Sequence, residues 1–193
     1  VRDKISAPVK IVIPARIKQQ KGCKDGVLLV DELRKRNIPA KLSIIGEVQS
    51  RDYYDALVKI TNDLKLNDSV DFRAMVSQEE LSSIYQQADI CFFTSYFKTG
   101  FSRVPLEAMA SGCLVFSYGN EGSSESIKQS ETGFILEEGN IKGAADWIEK
   151  LVVDKPFYLG IIKNARSCVE QDYSMETYVS QIENYLKKCL QNS

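Results

Sequence analysis

Residues 89–118 read DICFFTSYFKTGFSRVPLEAMASGCLVFSY, and this stretch decides the fold. Asp89 to Ser95 is the most strand-like run in the chain. A helix opening near Ser102 carries Val104, Glu107 and Ala108, and it stops at Gly112. Cys113 to Tyr118 is strand-like again. Both strands are apolar at successive positions, as strands covered on two faces are. Strand, helix and strand in so short a span argue for a parallel pair joined by a crossover helix.

The same alternation extends in both directions. Upstream, Val9 to Ala15 is a short β-branched run, followed by Val27, Val30 and Leu33 at helical spacing between Lys21 and Arg36. Lys41 to Glu47 is strand-like, and Tyr53, Leu57, Ile60 and Leu64 mark one face of a helix. Val70 to Ala74 is another strand. Ser77 followed by Glu80 has the spacing of a capping box, with Leu81, Ile84, Tyr85 and Ala88 as the apolar stripe behind it. Downstream, Gly133 to Leu136 supplies one more strand. Helices follow around Trp147, after Pro156, and over Tyr178, Ile182, Tyr185 and Cys189. Repeated units of this kind predict an α/β, Rossmann-like, doubly wound parallel sheet of six strands with extra C-terminal helices. Residues 1–193 read as a single domain, without repeat, linker or low-complexity tract.

Composition narrows the chemistry. The chain has 25 Lys plus Arg against 26 Asp plus Glu, a net charge of −1, which is not the basic excess of a nucleic-acid binder. It has no histidine at all, so Ser-His-Asp triads, Cys-His nucleophiles and His-bearing zinc sites are excluded. The five cysteines, at 23, 91, 113, 168 and 189, form no C-x-x-C pair and read as reduced thiols of a cytoplasmic protein. No apolar run approaches the roughly 20 residues of a membrane span. The chain opens Val1-Arg2-Asp3-Lys4 without a Met, which reads as processing or as a piece of something longer.

In doubly wound sheets ligands bind beyond the carboxyl ends of the strands. After the first strand come Arg16 and Lys21, which could converge on one anion or form a solvated basic loop. Neither G-x-G-x-x-G nor a P-loop is present there. After the fourth strand, Gly100 stands near a helix start, a seat for phosphate, with Pro105 in the first turn. Glu107 lies one turn into that helix, as a ligand-facing acid or as a partner of the helix dipole. After the fifth strand, Gly119 to Ser126 is a Gly- and Ser-rich turn that could hold polar groups through its amides, or be a capped surface turn. Gly46-Glu47 ends the second strand in the same layer.

Together these loops resemble the C-terminal, nucleotide-binding half of a GT-B glycosyltransferase of the retaining family 4, or group 1. The matching elements are R-x-x-x-x-K-G at Arg16 to Gly22, G-F-S-R-V-P-L-E-A-M-A-S-G from Gly100 to Gly112, G-S-S-E at Gly122 to Glu125, and the run Thr132 to Leu136. The resemblance covers Val9 to the C-terminus. It implies that Arg16 and Lys21 bind the donor diphosphate and stabilise the departing nucleoside diphosphate. It implies no cofactor and no metal, in keeping with the absence of an Asp-x-Asp motif. Glu107 would be the second acid of the family's E-x7-E pair, at the ribose hydroxyls. Thr99, Gly100, Phe101 and Ser102 would line the donor site, with Gly122, Ser123 and Glu125 near sugar and phosphates. Gly46 and Met75, the latter in the Ala74–Ser77 loop near the base, complete it.

The implied partners are a nucleotide-sugar donor and an N-terminal acceptor domain outside this chain, with peripheral contact at the inner membrane face and no nucleic acid. One position departs from the pattern. The first acid of the pair falls at Thr99, or at Lys98 with a one-residue insertion. The family's Gly before the Arg is Ala15. A degenerate domain acting as a scaffold is therefore the alternative to an active transferase; a nucleotide-sugar epimerase and an NAD-binding domain fit less well. The last helix, Ser174 to Leu190, is expected to pack within the domain, the alternative being a stripe left exposed toward the absent domain.

Overall fold

Six strands form one parallel sheet in the computed structural model, which describes Ile5 and residues 7–191. They are β1 (Val9–Pro14), β2 (Ala40–Ile45), β3 (Val70–Arg73), β4 (Ile90–Phe93), β5 (Leu114–Ser117) and β6 (Phe134–Ile135), in the order β3-β2-β1-β4-β5-β6. Every neighbouring pair is parallel, with Val9 opposite Ala40, Ile11 opposite Ile90 and Ile90 opposite Leu114. The order reverses between β1 and β4, and a crevice opens outside the carboxyl ends at such a switch point.

Among the described residues, eight α-helices connect or follow the strands. They are α1 (Cys23–Lys35), α2 (Arg51–Asp63), α3 (Gln78–Gln87), α4 (Val104–Ala110), α5 (Ser123–Ser126), α6 (Ile141–Val153), α7 (Lys155–Asp172) and α8 (Met175–Gln191). Alternation along the strands divides the core in two. Ile11, Ile13, Phe92 and Phe116 point to a layer that takes Val27, Leu29 and Leu33 of α1, Leu57 of α2 and Ile148 of α6. Val12, Cys91 and Val115 point to the other, against Tyr85 of α3, Ala108 and Met109 of α4 and Ala165 of α7. The sheet is thus covered on both faces, which is why β4 and β5 carry no exposed position.

Local differences from the sequence reading have physical causes. α1 begins at Cys23 because Gln19–Lys21 forms a separate 3-10 turn ended by Gly22. The Ser77 hydroxyl accepts the Glu80 N–H at 3.1 Å, half of a capping box. Arg73 takes the Glu80 carboxylate instead, at 2.9 Å. The expectation that the last helix packs within the domain is not met. Tyr178, Ile182, Tyr185 and Leu186 of α8 are exposed, and no α8 residue belongs to either core cluster. The two faces of the sheet are already covered by α1 to α7, so the sheet leaves no face for α8 to cover. No helix among the described residues is long and apolar enough to cross a membrane.

Candidate functional site: the carboxyl ends of the central strands

The turn after β1 is fixed from both neighbouring strands. On the β2 side, the N–H groups of Ala15 and Ile17 donate to the carbonyls of Ile45 and Glu47 at 2.9 and 2.8 Å. Gly46 presses against this turn: a β-carbon there would stand 2.2 Å from the Ala15 carbonyl oxygen. On the β4 side, the Thr94 hydroxyl donates to the Lys21 carbonyl at 3.0 Å. Gly22 adopts φ 64, and any β-carbon on it would meet the Thr94 carbonyl at 2.2 Å. Only glycine satisfies both demands. The turn is therefore clamped onto the end of β4.

This clamp carries Lys21 to the exit of β5. Its ammonium pairs with the carboxylate of Glu121, and both side chains are mostly buried. Glu121 Oε1 also accepts the Ser95 hydroxyl at 2.5 Å. The carbonyl of Glu121 accepts the Ser102 N–H at 2.9 Å, which ties the loop before α4 to the turn after β5. Next to that bond the Phe101 ring lies over Gly122, where a β-carbon would come within 2.6 Å of Cδ2. Asn120 reinforces the junction by donating to the Ser95 carbonyl at 2.8 Å and to Glu138 at 2.9 Å. Ser123, buried, shares a 2.6 Å hydrogen bond with Ser117.

A second polar cluster lies behind the first. Asp25, in the first turn of α1, accepts hydroxyl hydrogen bonds from Tyr96 at 2.6 Å and Tyr118 at 2.8 Å. The rings meet edge to face, 5.4 Å between centroids. Burial, and then the Asp25 carboxylate, push both phenols up. The cluster joins the start of α1 to the residues that follow β4 and β5. Burial also pushes the Cys23 thiol up to about 12, overriding its favourable place at a helix start.

The structure therefore brings together Lys21, Phe101, Ser102, Gly122 and Ser123, with Gly46 behind the turn that carries Arg16. Arg16 is exposed, with no hydrogen bond or ion pair to a described residue. Thr99, Gly100 and Glu125 are exposed, and Gly100 at φ 94 has no atom within 4 Å of its virtual β-carbon. Met75 is 77% exposed. Glu107 is half-buried, with Arg103 as an ion-pair partner at 3.9 Å, whereas the ion pair of Lys21 is with Glu121. Sequence reasoning missed Glu121, Ser95, Asp25 and Asn120. The signal for Glu121 was its position in a turn after β5, in the layer of Lys21. A groove of about 1160 Å³ lies elsewhere, at the far end of α4, lined by Ser82, Gln86, Gly112, Lys163 and Arg166.

Comparison with known proteins agrees with this architecture. Residues 3–168 match the family model described as glycosyl transferases group 1. A GDP-mannose-dependent alpha-(1-6)-phosphatidylinositol monomannoside mannosyltransferase of Mycobacterium tuberculosis is 24% identical over 185 residues, 92% of this chain and 47% of that protein. The crystal structure of the C-terminal domain of the group 1 glycosyl transferase LpcC from Francisella tularensis superposes with TM-score 0.78 at 26% identity, covering 86% of this chain and 87% of that one. Anabaena HepE, solved with UDP-glucose, shares the fold at TM-score 0.85 and 20% identity, over 95% of this chain and 50% of that one. The chain spans about half the length of the curated relatives it matches. With the strand order, the loops beyond β1, β4 and β5 and the matched span in agreement, this chain belongs to the glycosyl transferases group 1 family, with the fold of its C-terminal GT-B domain.

Proposed function

We propose that this chain binds the donor of a retaining glycosyltransferase that moves a hexose-type sugar from a UDP- or GDP-sugar to a glycan or lipid-linked acceptor. The observation that carries the reading is the junction of three loops on Lys21 beyond β1, β4 and β5. Two relatives support a nucleotide-sugar donor, one named as GDP-mannose-dependent and one solved with UDP-glucose.

In this reading Arg16 and Lys21 take the diphosphate and offset the charge that develops on it as the sugar leaves, without a metal. Arg16 is unengaged among the described residues and suits a planar phosphate contact. Glu107 accepts the ribose hydroxyls, Met75 and its loop flank the base, and the turn from Gly122 to Glu125 holds sugar and phosphates. The acceptor then belongs to an N-terminal domain outside this chain, at the cytoplasmic face of a membrane. A second reading, a non-catalytic scaffold that retains the fold, is favoured by Thr99 and Lys98, neither of which supplies the first acid of the pair.

Calorimetric titration with UDP, GDP and ADP tests the binding claim. Saturable binding of UDP or GDP is expected, and its loss in the double variant Arg16→Ala, Lys21→Ala. No binding of any of the three, or an undiminished signal in the double variant, rejects it.

A further inference from the structure

The cation best placed to meet a phosphate is already neutralised inside the protein. Lys21 and Glu121 pair across 100 residues of sequence, with side chains 13% and 10% exposed. The acid is built into place and does not drift there as a surface charge would. Its backbone stands at φ 51, a left-handed conformation that residues with a β-carbon rarely adopt. Ser95 donates to its carboxylate and Ser102 to its carbonyl. Backbone strain of this kind persists only where the surroundings enforce it.

A carboxylate so close to the ammonium changes what a phosphate gains on arrival. The ligand does not meet a bare cation; it meets an ion pair whose acid it must push aside or tolerate. Like charges in a site shielded from water repel far more than they do in solution. The penalty therefore grows with the negative charge of the ligand.

We infer that Glu121 is an internal counter-ion of the donor site, which weakens the hold of Lys21 on phosphate and does so most for the nucleoside diphosphate product. This inference rests on the nucleotide-sugar reading above. Transfer breaks the bond between sugar C1 and the β-phosphate oxygen, and the electron pair stays on that oxygen. The acceptor hydroxyl oxygen forms the new bond to C1 and gives up its proton to solvent. The departing diphosphate thus carries one more negative charge than it did as donor. A fixed carboxylate beside it penalises product more than substrate and favours release.

The test is calorimetry on the wild type, on Glu121→Gln, which keeps the shape and loses the charge, and on Glu121→Gly, which suits φ 51. Ligands are uridine and guanosine, their mono- and diphosphates, and UDP-glucose. The diphosphate that binds the wild type is expected to bind both variants about tenfold tighter, with the bare nucleoside within twofold of the wild type. For the uridine series, UDP is expected to gain more than UDP-glucose. Unchanged or weaker diphosphate binding in the variants overturns the inference and leaves the nucleotide reading standing. Equal tightening of nucleoside and diphosphate also overturns it, because the effect is then not one of charge. Absence of binding in all three proteins overturns both. If Glu121→Gln does not fold, the glycine variant carries the comparison.

Discussion

Tyr85 of α3 is 1% exposed, and its hydroxyl has no hydrogen-bond partner among the described residues. It lies among apolar residues near Cys91 and Cys113, and burial pushes the phenol up. A buried hydroxyl without a partner costs about 1–3 kcal/mol of desolvation, whereas a benzene ring of the same shape costs none of it. Tyr85→Phe is accordingly expected to raise stability by about 1 kcal/mol. Urea unfolding measures this as a higher midpoint at unchanged slope; a lower midpoint shows that the hydroxyl does bind something. Residue types alone exposed part of this scale. The place of Lys21 was legible, because the turn after a strand of a doubly wound sheet stands at the carboxyl ends of the strands. Glu121 was not, because its partner lies 100 positions away and its orientation depends on a positive φ that nothing in Asn120-Glu121-Gly122 dictates.

At the scale of elements, legibility followed the number of faces an element buries. β4 and β5 are covered on both sides and announce themselves as unbroken apolar runs. β6 has two ladder residues, against the four expected from Gly133 to Leu136: Gly133 bridges Gln129 instead, and Leu136 keeps only an N–H bond to the Ser117 carbonyl at 2.8 Å. α8 misled because its stripe has the helical period of a core helix, and period does not say whether a partner surface exists. Its residues join neither core, so its backbone hydrogen bonds are protected by little beyond helix propensity. Isolated helices of about this length are marginal in water. Native-state hydrogen exchange is therefore expected to show α8 amides exchanging fast while those of β1, β2, β4 and β5 are protected at the level of global unfolding. Protection of α8 equal to that of β4 would mean that something covers its apolar face in solution.

At the scale of the molecule, the parallel sheet places the candidate ligand groups beyond the carboxyl ends of β1 to β5. Binding and turnover need different amounts of structure. In the proposed function a nucleoside diphosphate is held by groups of this chain alone, Arg16 and Lys21 among them. Transfer needs in addition an acceptor hydroxyl held against the sugar, and positioning of that kind accounts for effective molarities of about 10⁵–10⁸ M. In the proposed function the acceptor groups belong to an N-terminal domain outside this chain, which spans about half the length of its curated relatives. The chain alone is therefore expected to bind UDP or GDP and to transfer radiolabelled sugar to a membrane extract at least ~10³-fold more slowly than the longer polypeptide carrying that domain. Equal rates would locate the acceptor site within these 193 residues. Nucleotide binding without transfer by the longer polypeptide would favour the scaffold reading, with Thr99 and Lys98 as the positions to restore: Thr99→Glu would then be expected to recover measurable transfer, and its failure would mean that more than the first acid has been lost.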